Sequence, residues 1–232
     1  MDSFSIENMY CDNNNHNQEL INVNEETNSI YFNAGVNSKT MSTLIEELIS
    51  LEQNILKKQK TLKRKIYEAR KTDKDKDKDK DKDDDEQYYE NNFEIKIEPK
   101  PITLYITTNG GYIHQVFSAI DTIRGMKIPV NTVCKGFVAS AGTLLSLAGK
   151  KRFITENSYM LIHELKTGNY GKFTYLSESH ENSKQLMEHI KSYYLARTKM
   201  TSEELDEQLK KDIYWNAQIC LEKGLVDEIL KY

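Results

Sequence analysis

Ser140 is the residue of this chain whose surroundings best suit nucleophilic chemistry. It lies in the run Gly136-Phe-Val-Ala-Ser-Ala-Gly142, where its neighbours are too small to cover its hydroxyl. The apolar run 143–148 that follows predicts a buried helix. Backbone N–H groups and the positive end of the dipole at such a helix start would stabilise the oxyanion of an acyl transfer. The same small residues are also expected where a helix only packs tightly against a sheet.

A glycine turn upstream is the second element that could contribute to catalysis. Apolar and polar residues alternate over 102–107, which predicts a β-strand, and Asn109-Gly-Gly111 interrupts the pattern. Apolar residues at helical spacing follow over 113–123. A strand, a glycine turn and a helix form a common α/β unit, and the turn can direct a backbone N–H into a site. It can equally be a tight turn and nothing more.

His163 and Asp212 complete a possible set of catalytic side chains. His163 ends a short apolar strand over 159–162, and Asp212 lies between two predicted helical segments. A serine hydroxyl needs a neighbouring imidazole to take its proton, and a carboxylate on the far ring nitrogen orients that imidazole. Each residue alone is also ordinary, as a surface histidine and as a helix cap or loop charge.

The order of these motifs resembles the Clp protease proteolytic subunit (ClpP) family. The resemblance covers about residues 28–52 and 98–230. The motifs that carry it are Asn109-Gly-Gly111, the glycine and serine run at 136–142, a strand ending in Ile162-His163, Lys211-Asp-Ile-Tyr214, and the closing segment 222–230.

The resemblance implies a fold, a site and an activity. It assigns Ser140 as nucleophile, His163 as general base, Asp212 as the residue that orients the histidine, and the N–H groups of Gly111 and Ala141 as the oxyanion hole. The implied fold is an α/β, ClpP/crotonase-type core of mostly parallel strands with flanking helices and a long projecting helix over 173–197. The implied activity is serine endopeptidase hydrolysis through an acyl-enzyme, with no metal and no other cofactor.

The resemblance also implies partners. It predicts a homo-oligomeric, heptamer-based ring that cleaves polypeptide substrates delivered by an ATP-dependent unfoldase. The chain itself has no Gly-x-x-x-x-Gly-Lys phosphate loop. Three departures from the family pattern stand out: Thr108-Asn109 replaces Ser-Pro, Glu164-Leu165 replaces Gln-Pro, and Lys210-Lys211 replaces an acid–arginine pair that bridges stacked rings.

Three other functions remain open at this point. A catalytically inactive or assembly-restricted ring subunit would carry the same residues in a misaligned arrangement. A Ser–Lys dyad, as in signal-peptide peptidases, could use Lys166 in place of the histidine. A crotonase-type acyl-CoA enzyme is the most remote of the three, since its chemistry does not need a triad serine.

Composition sets limits on partners and compartment. A net charge of −4 does not favour nucleic-acid binding, and no apolar run reaches the length of a membrane span. The three cysteines, Cys11, Cys134 and Cys220, show no Cys-x-x-Cys spacing, so neither a zinc site nor a disulfide framework is predicted. We expect a reducing, cytoplasmic location, because the acidic, Asn-rich N-terminus lacks the features of a signal or transit peptide.

Composition also divides the chain. Residues 1–27 are predicted to be disordered or loosely attached, and residues 28–52 to form the first strand and helix of the core. Residues 53–92 read as a helix extension followed by an alternating Asp-Lys run, an insertion with nothing to bury. Residues 93–232 would supply the rest of the core.

Overall fold

A computed structural model describes residues 20–74 and 98–231. Within these ranges strands and helices alternate in the manner of an α/β protein. In chain order the elements are β1 Ile21–Asn24, β2 Ser29–Asn33, α1 Ser38–Lys74, β3 Ile102–Thr108, α2 Ile113–Gly125, β4 Val130–Ala139, α3 Ala141–Ser146, β5 Arg152–Thr155, β6 Tyr159–Leu161, α4 Phe173–Leu195, α5 Ser202–Leu209, β7 Tyr214–Asn216, α6 Ala217–Glu222 and β8 Glu228–Leu230.

The strands form one sheet in the order β1-β2-β3-β4-β5-β8, with β6 and β7 branching from β4. All pairs from β2 to β8 along that order are parallel, as is the β4–β6 pair, whereas β1–β2 and β6–β7 are antiparallel. The first half of β4 pairs with β5 through residues 132–134, and its second half pairs with β6 through residues 137–139. The predicted α/β class with mostly parallel strands is confirmed.

Apolar side chains of α1, α2 and α3 cover one face of the sheet. The apolar positions of α1 recur at helical spacing, and Met41, Leu44 and Leu48 are at most 1% exposed. Asn37 caps this helix, because its side-chain oxygen accepts a hydrogen bond from Thr40 N at 3.0 Å. Contact with the core ends near Ile55, and farther along the helix Leu62 is 46% exposed. Helix α1 therefore extends beyond the hydrophobic core against which its first half packs.

Helix α4 packs on the core only through its C-terminal part. Ile190, Tyr193 and Tyr194 are buried there, whereas Phe173 in its first turn is 82% exposed. This is the helix that, by the family resemblance, is expected to project. Across the described ranges, every helix is too short or too polar to cross a lipid bilayer.

The prediction that residues 1–27 lie outside the fold is wrong for residues 21–24. Ile21–Asn24 form β1, which pairs with β2 from Ile21↔Phe32 to Asn24↔Ser29. Ile21 and Val23 pack against the core, and Asn24 accepts hydrogen bonds from the backbone N–H groups of Glu26 and Thr27, which closes the hairpin turn. Two alternating apolar residues suffice here because the neighbouring strand supplies the hydrogen-bond partners. Residues 1–19 and 75–97 lie outside the described ranges.

Candidate active site

Ser140 occupies a sharp turn between β4 and α3. Its backbone has φ 53° and ψ −127°, and Asn28 is the other non-glycine residue with positive φ in the described chain. Such a conformation is costly for a residue with a Cβ atom and needs support from its surroundings. Part of that support is a hydrogen bond from Ser140 N to Leu161 O at 2.9 Å, which ties the turn to the end of β6.

Gly110 allows the glycine turn after β3 to pack directly against Ser140. A Cβ atom at position 110 would lie 2.6 Å from Ser140 Cβ, 2.8 Å from Ala139 O and 3.1 Å from Ala141 N. The φ of Gly110 is also +89°, in the left-handed region that favours glycine. The sequence elements around Gly110 and Ser140 therefore meet in one place, at the carboxyl ends of β3 and β4.

The backbone N–H groups of Gly111 and Ala141, which flank this contact, have no protein acceptor among the described residues. Val36 N donates to Gly110 O at 2.8 Å, Tyr112 N donates to Val36 O at 2.9 Å, and Gly110 N donates to Thr108 Oγ1 at 3.1 Å. These bonds fix the turn without using Gly111 N–H. Within the described residues, neither Gly111 N–H nor Ala141 N–H donates to a protein group. Both donors are available to an oxygen atom that enters the site.

The pairing of β6 with β7 brings His163 to Asp212. The antiparallel register matches Leu161 with Tyr214, and its continuation by two pairs sets His163 opposite Asp212. The loop is held there by a hydrogen bond from Glu164 N to Leu209 O at 2.8 Å. His163 Nδ1 and Asp212 Oδ1 are 3.0 Å apart. The imidazole is 13% exposed and the carboxylate 59%.

This hydrogen bond determines which ring nitrogen can act as a base. With Nδ1–H donating to Asp212, the unprotonated Nε2 is left to accept a proton. Ser140 N is bonded to Leu161 O, two residues before His163, so the serine and the histidine share one edge of the sheet. The Ser140 hydroxyl, however, makes no hydrogen bond to the His163 ring or to any other group in the described chain.

Lys166 has a different partner from the one that a Ser–Lys dyad requires. Its ammonium lies 3.5 Å from Asp212 Oδ2, and both side chains are well exposed. Asp212 therefore contacts His163 through one oxygen and Lys166 through the other. The sequence gives no sign of this ion pair, because Lys166 and Asp212 belong to separate loops.

Thr143 and Tyr194, which were not predicted as site residues, are linked to Ser140 by hydrogen bonds. The Thr143 hydroxyl donates to Ser140 O at 2.6 Å, and the Tyr194 hydroxyl is hydrogen-bonded to Thr143 Oγ1. Burial raises the pKa of Tyr194 above its ordinary value, with the hydrogen bond to Thr143 acting in the opposite direction. In the sequence both residues fall within apolar runs, which gives no sign that they are linked.

The described residues offer no metal centre. No group of three or more His, Cys, Asp and Glu side chains in these ranges could hold a metal ion. Cys134 and Cys220 are free and buried, and burial raises the pKa of each thiol to about 12. These thiols are poor nucleophiles and poor metal ligands in this state.

Comparison with protein families adds an independent finding. The family model described as Clp protease matches residues 92–232, which is more than half of the chain. The match includes Gly111, Ser140, His163 and Asp212, the residues that the geometry brings to one edge of the sheet.

Proposed function

The chain belongs to the Clp protease family, and from that premise we propose that it is a serine endopeptidase that cleaves unfolded proteins or peptides. Ser140 is the nucleophile, His163 the general base and Asp212 its orienting partner. The observation that carries the proposal is the 3.0 Å hydrogen bond between His163 Nδ1 and Asp212 Oδ1 at the sheet edge that also holds Ser140. An aspartate on Nδ1 leaves Nε2 free for a serine, which is the arrangement that acyl transfer requires.

In the first half of the reaction, His163 Nε2 takes the hydroxyl proton as Ser140 Oγ attacks the peptide carbonyl carbon. The carbonyl oxygen becomes an oxyanion, and the free N–H groups of Gly111 and Ala141 donate hydrogen bonds to it. Asp212 stabilises the imidazolium that forms. Collapse of the tetrahedral intermediate then breaks the C–N bond, and the imidazolium gives its proton to the departing amine.

In the second half, water attacks the ester that joins Ser140 Oγ to the acyl fragment. His163 takes a proton from this water and returns it to Ser140 Oγ as the ester bond breaks. The products are a carboxylic acid and the free enzyme. No step needs a metal ion, because the proton transfers use His163 and the charge is stabilised by backbone N–H groups.

The proposal extends to assembly and compartment. We expect a homo-oligomeric, heptamer-based ring, and exposed apolar side chains on the first turns of α4, such as Phe173 and Tyr175, supply surface for contacts between copies. An ATP-dependent unfoldase would deliver folded substrates to that ring. Buried free thiols suit a reducing compartment such as the cytoplasm.

Labelling with a fluorophosphonate tests the nucleophile directly. The wild-type protein and Ser140→Ala are labelled side by side, the modified peptide is identified by mass spectrometry, and particle mass is measured on the same samples. We expect label on Ser140 in the wild type and none in Ser140→Ala at the same particle mass. Equal labelling or equal peptidase activity of the two proteins would remove Ser140 from the mechanism.

A second candidate, a structural ring subunit without activity, has one observation in its favour. The Ser140 hydroxyl is not hydrogen-bonded to His163 in the described chain. An assembled particle of wild-type protein that neither takes up the label nor cleaves an unfolded protein would favour this candidate. Labelling that appears only in the assembled particle would favour the protease, with the serine and histidine brought into register by contact between copies.

A further inference from the structure

We propose that Tyr194 and Thr143 are positioning residues that orient the Ala141 N–H group of the oxyanion hole through a chain of hydrogen bonds. The inference rests on the proposed function of Ser140 and deepens it. It adds two residues to the site, Thr143 on α3 and Tyr194 on α4.

The direction of the hydrogen bonds follows from the number of protons available. The Thr143 hydroxyl has a single proton, which it donates to Ser140 O at 2.6 Å. The hydrogen bond between Tyr194 and Thr143 Oγ1 must then use the tyrosine proton. Thr143 N donates to the same carbonyl at 2.9 Å. Ser140 O thus accepts two hydrogen bonds from Thr143, and Tyr194 supports one of them.

The planarity of the peptide bond carries this support to the oxyanion hole. The carbonyl of Ser140 and the N–H of Ala141 belong to the same peptide group, in which the two bonds point in opposite directions. A hydrogen-bond chain that fixes the carbonyl therefore also fixes the direction of the N–H. Within the described residues, that N–H donates to no protein group.

Burial protects this chain of hydrogen bonds from competition by water. Thr143 is 0% exposed and Tyr194 is 2% exposed, so water has little access to replace either hydroxyl. In a medium of low dielectric constant, successive hydrogen bonds strengthen one another, and a lost partner is costly. A tyrosine is protonated at neutral pH even at its ordinary pKa, and burial raises the pKa of Tyr194 further, so the phenol remains a donor.

The expected signature is a fall in kcat with an unchanged KM. An oxyanion hole acts on charge that develops in the transition state, and removal of one donor lowers kcat about 100- to 1000-fold in a serine protease. A donor that is present but poorly oriented should cost less, and we expect about a tenfold loss. Substrate binding in the ground state does not use this donor, so KM should change less than about twofold.

The adjacent tyrosine provides a matched control. Tyr193 lies on the same helix and is 7% exposed, but its buried hydroxyl has no hydrogen-bond partner in the described chain. Tyr193→Phe and Tyr194→Phe thus remove the same atom from neighbouring buried positions. Thr143→Val removes the middle hydroxyl, whereas Thr143→Ser keeps it.

The experiment measures kcat and KM for a fluorogenic peptide, with each preparation normalised by fluorophosphonate titration of its reactive serines. Normalisation excludes unfolded molecules from the rate per site. We expect Tyr194→Phe and Thr143→Val to lower kcat about tenfold, and Tyr193→Phe and Thr143→Ser to stay within about twofold of the wild type. Wild-type kcat in Tyr194→Phe, or an equal loss in Tyr193→Phe, overturns the inference.

Ser140→Ala separates this inference from the proposed function. If Ser140→Ala retains activity, the proposed function fails and the positioning role fails with it. If Ser140→Ala is inactive and Tyr194→Phe and Thr143→Val match the wild type, only the positioning role fails. Should Tyr194→Phe yield no folded protein, the comparison of Thr143→Val with Thr143→Ser decides the outcome.

Discussion

His163 Nδ1 lies 3.0 Å from Asp212 Oδ1, although 49 positions separate the two residues in the sequence. The contact depends on the antiparallel register of β6 and β7, which aligns the loops that carry the two side chains. The other oxygen of Asp212 faces Lys166. The exposed Asp212 carboxylate therefore contacts both a histidine and a lysine. Variants of Asp212 and of Lys166 can separate the effects of these two contacts on activity.

Asp212→Asn should nearly abolish peptidase activity while the fold is retained. An amide can donate to Nδ1 and favours the tautomer in which Nε2 carries the proton, so the histidine loses its ability to act as a base. In a serine protease this change lowers kcat about 10⁴-fold. The measurement is kcat for a fluorogenic peptide, with Asp121→Asn, an exposed acid on α2, as control. Activity within about threefold of the wild type would contradict the role of Asp212.

Lys166→Met should increase activity slightly. The positive charge of the Lys166 ammonium offsets part of the negative charge of Asp212. Without the lysine, that carboxylate would stabilise the imidazolium formed in the reaction more strongly. Because the pair is exposed, we expect a gain of about two- to threefold in kcat/KM at low salt. The gain should disappear at about 1 M salt, where screening is strong. Lys166→Arg keeps the charge and should match the wild type; a loss of activity in Lys166→Met would indicate that the lysine holds Asp212 in place.

Gly110→Ala should remove activity through backbone geometry alone. The new methyl group would lie 2.6 Å from Ser140 Cβ and 2.8 Å from Ala139 O, and φ is +89°. The turn must shift, which displaces the nucleophile and the neighbouring Gly111 N–H. Gly125→Ala is the matched control, because beyond its chain neighbours and its own helix backbone a methyl group there meets no heavy atom within 4 Å. We expect fluorophosphonate labelling to be lost in Gly110→Ala and kept in Gly125→Ala; equal labelling would show that the turn tolerates a side chain.

Arg152 should be important for stability and not for chemistry. Its side chain is 16% exposed and pairs with Asp227, and Nη1 also donates to Arg197 O at 2.6 Å and to Gly224 O at 3.0 Å. Arg152→Met leaves these acceptors without a charged donor, and we expect the free energy of unfolding in urea to fall by about 2–3 kcal/mol. Lys151→Met, at an exposed neighbouring position, should change it by less than about 0.5 kcal/mol. Equal effects of the two variants would contradict this.

The same pair predicts a dependence on pH. Burial by itself would raise the pKa of Asp227, but hydrogen bonds from the Arg152 side chain and backbone, with its charge, lower the pKa below 3.8. A carboxylate with a lowered pKa stabilises the folded state above its unfolded pKa, and this contribution is lost as the pH falls through the folded value. Asp227→Asn should therefore be destabilising at pH 7 and progressively less so below about pH 3.8. An unfolding free-energy difference independent of pH would contradict the assignment.

Much of the fold could be predicted because its signals are local. Alternating residues mark β3, the glycines after it mark a turn, and the apolar spacing of α1 marks a buried helix face. The glycine turn at 109–111 was predicted as well, but its direct contact with Ser140 was not. Strand β1 was missed because its apolar content is only Ile21 and Val23, and the strand depends on hydrogen bonds to β2 that a local pattern does not reveal.

The sequence by itself determined the α/β class and the helix that follows Ser140, and its resemblance to a family supplied the residues of the candidate triad. Only the tertiary structure decided that Asp212 contacts both His163 and Lys166, and that Tyr194 reaches Ser140 through Thr143. Secondary structure follows from neighbours in the chain, whereas a hydrogen bond between distant side chains depends on how whole helices and strands pack. Tyr194 looks like any other apolar position of a helix until α4 is docked on α3 and its hydroxyl meets Thr143.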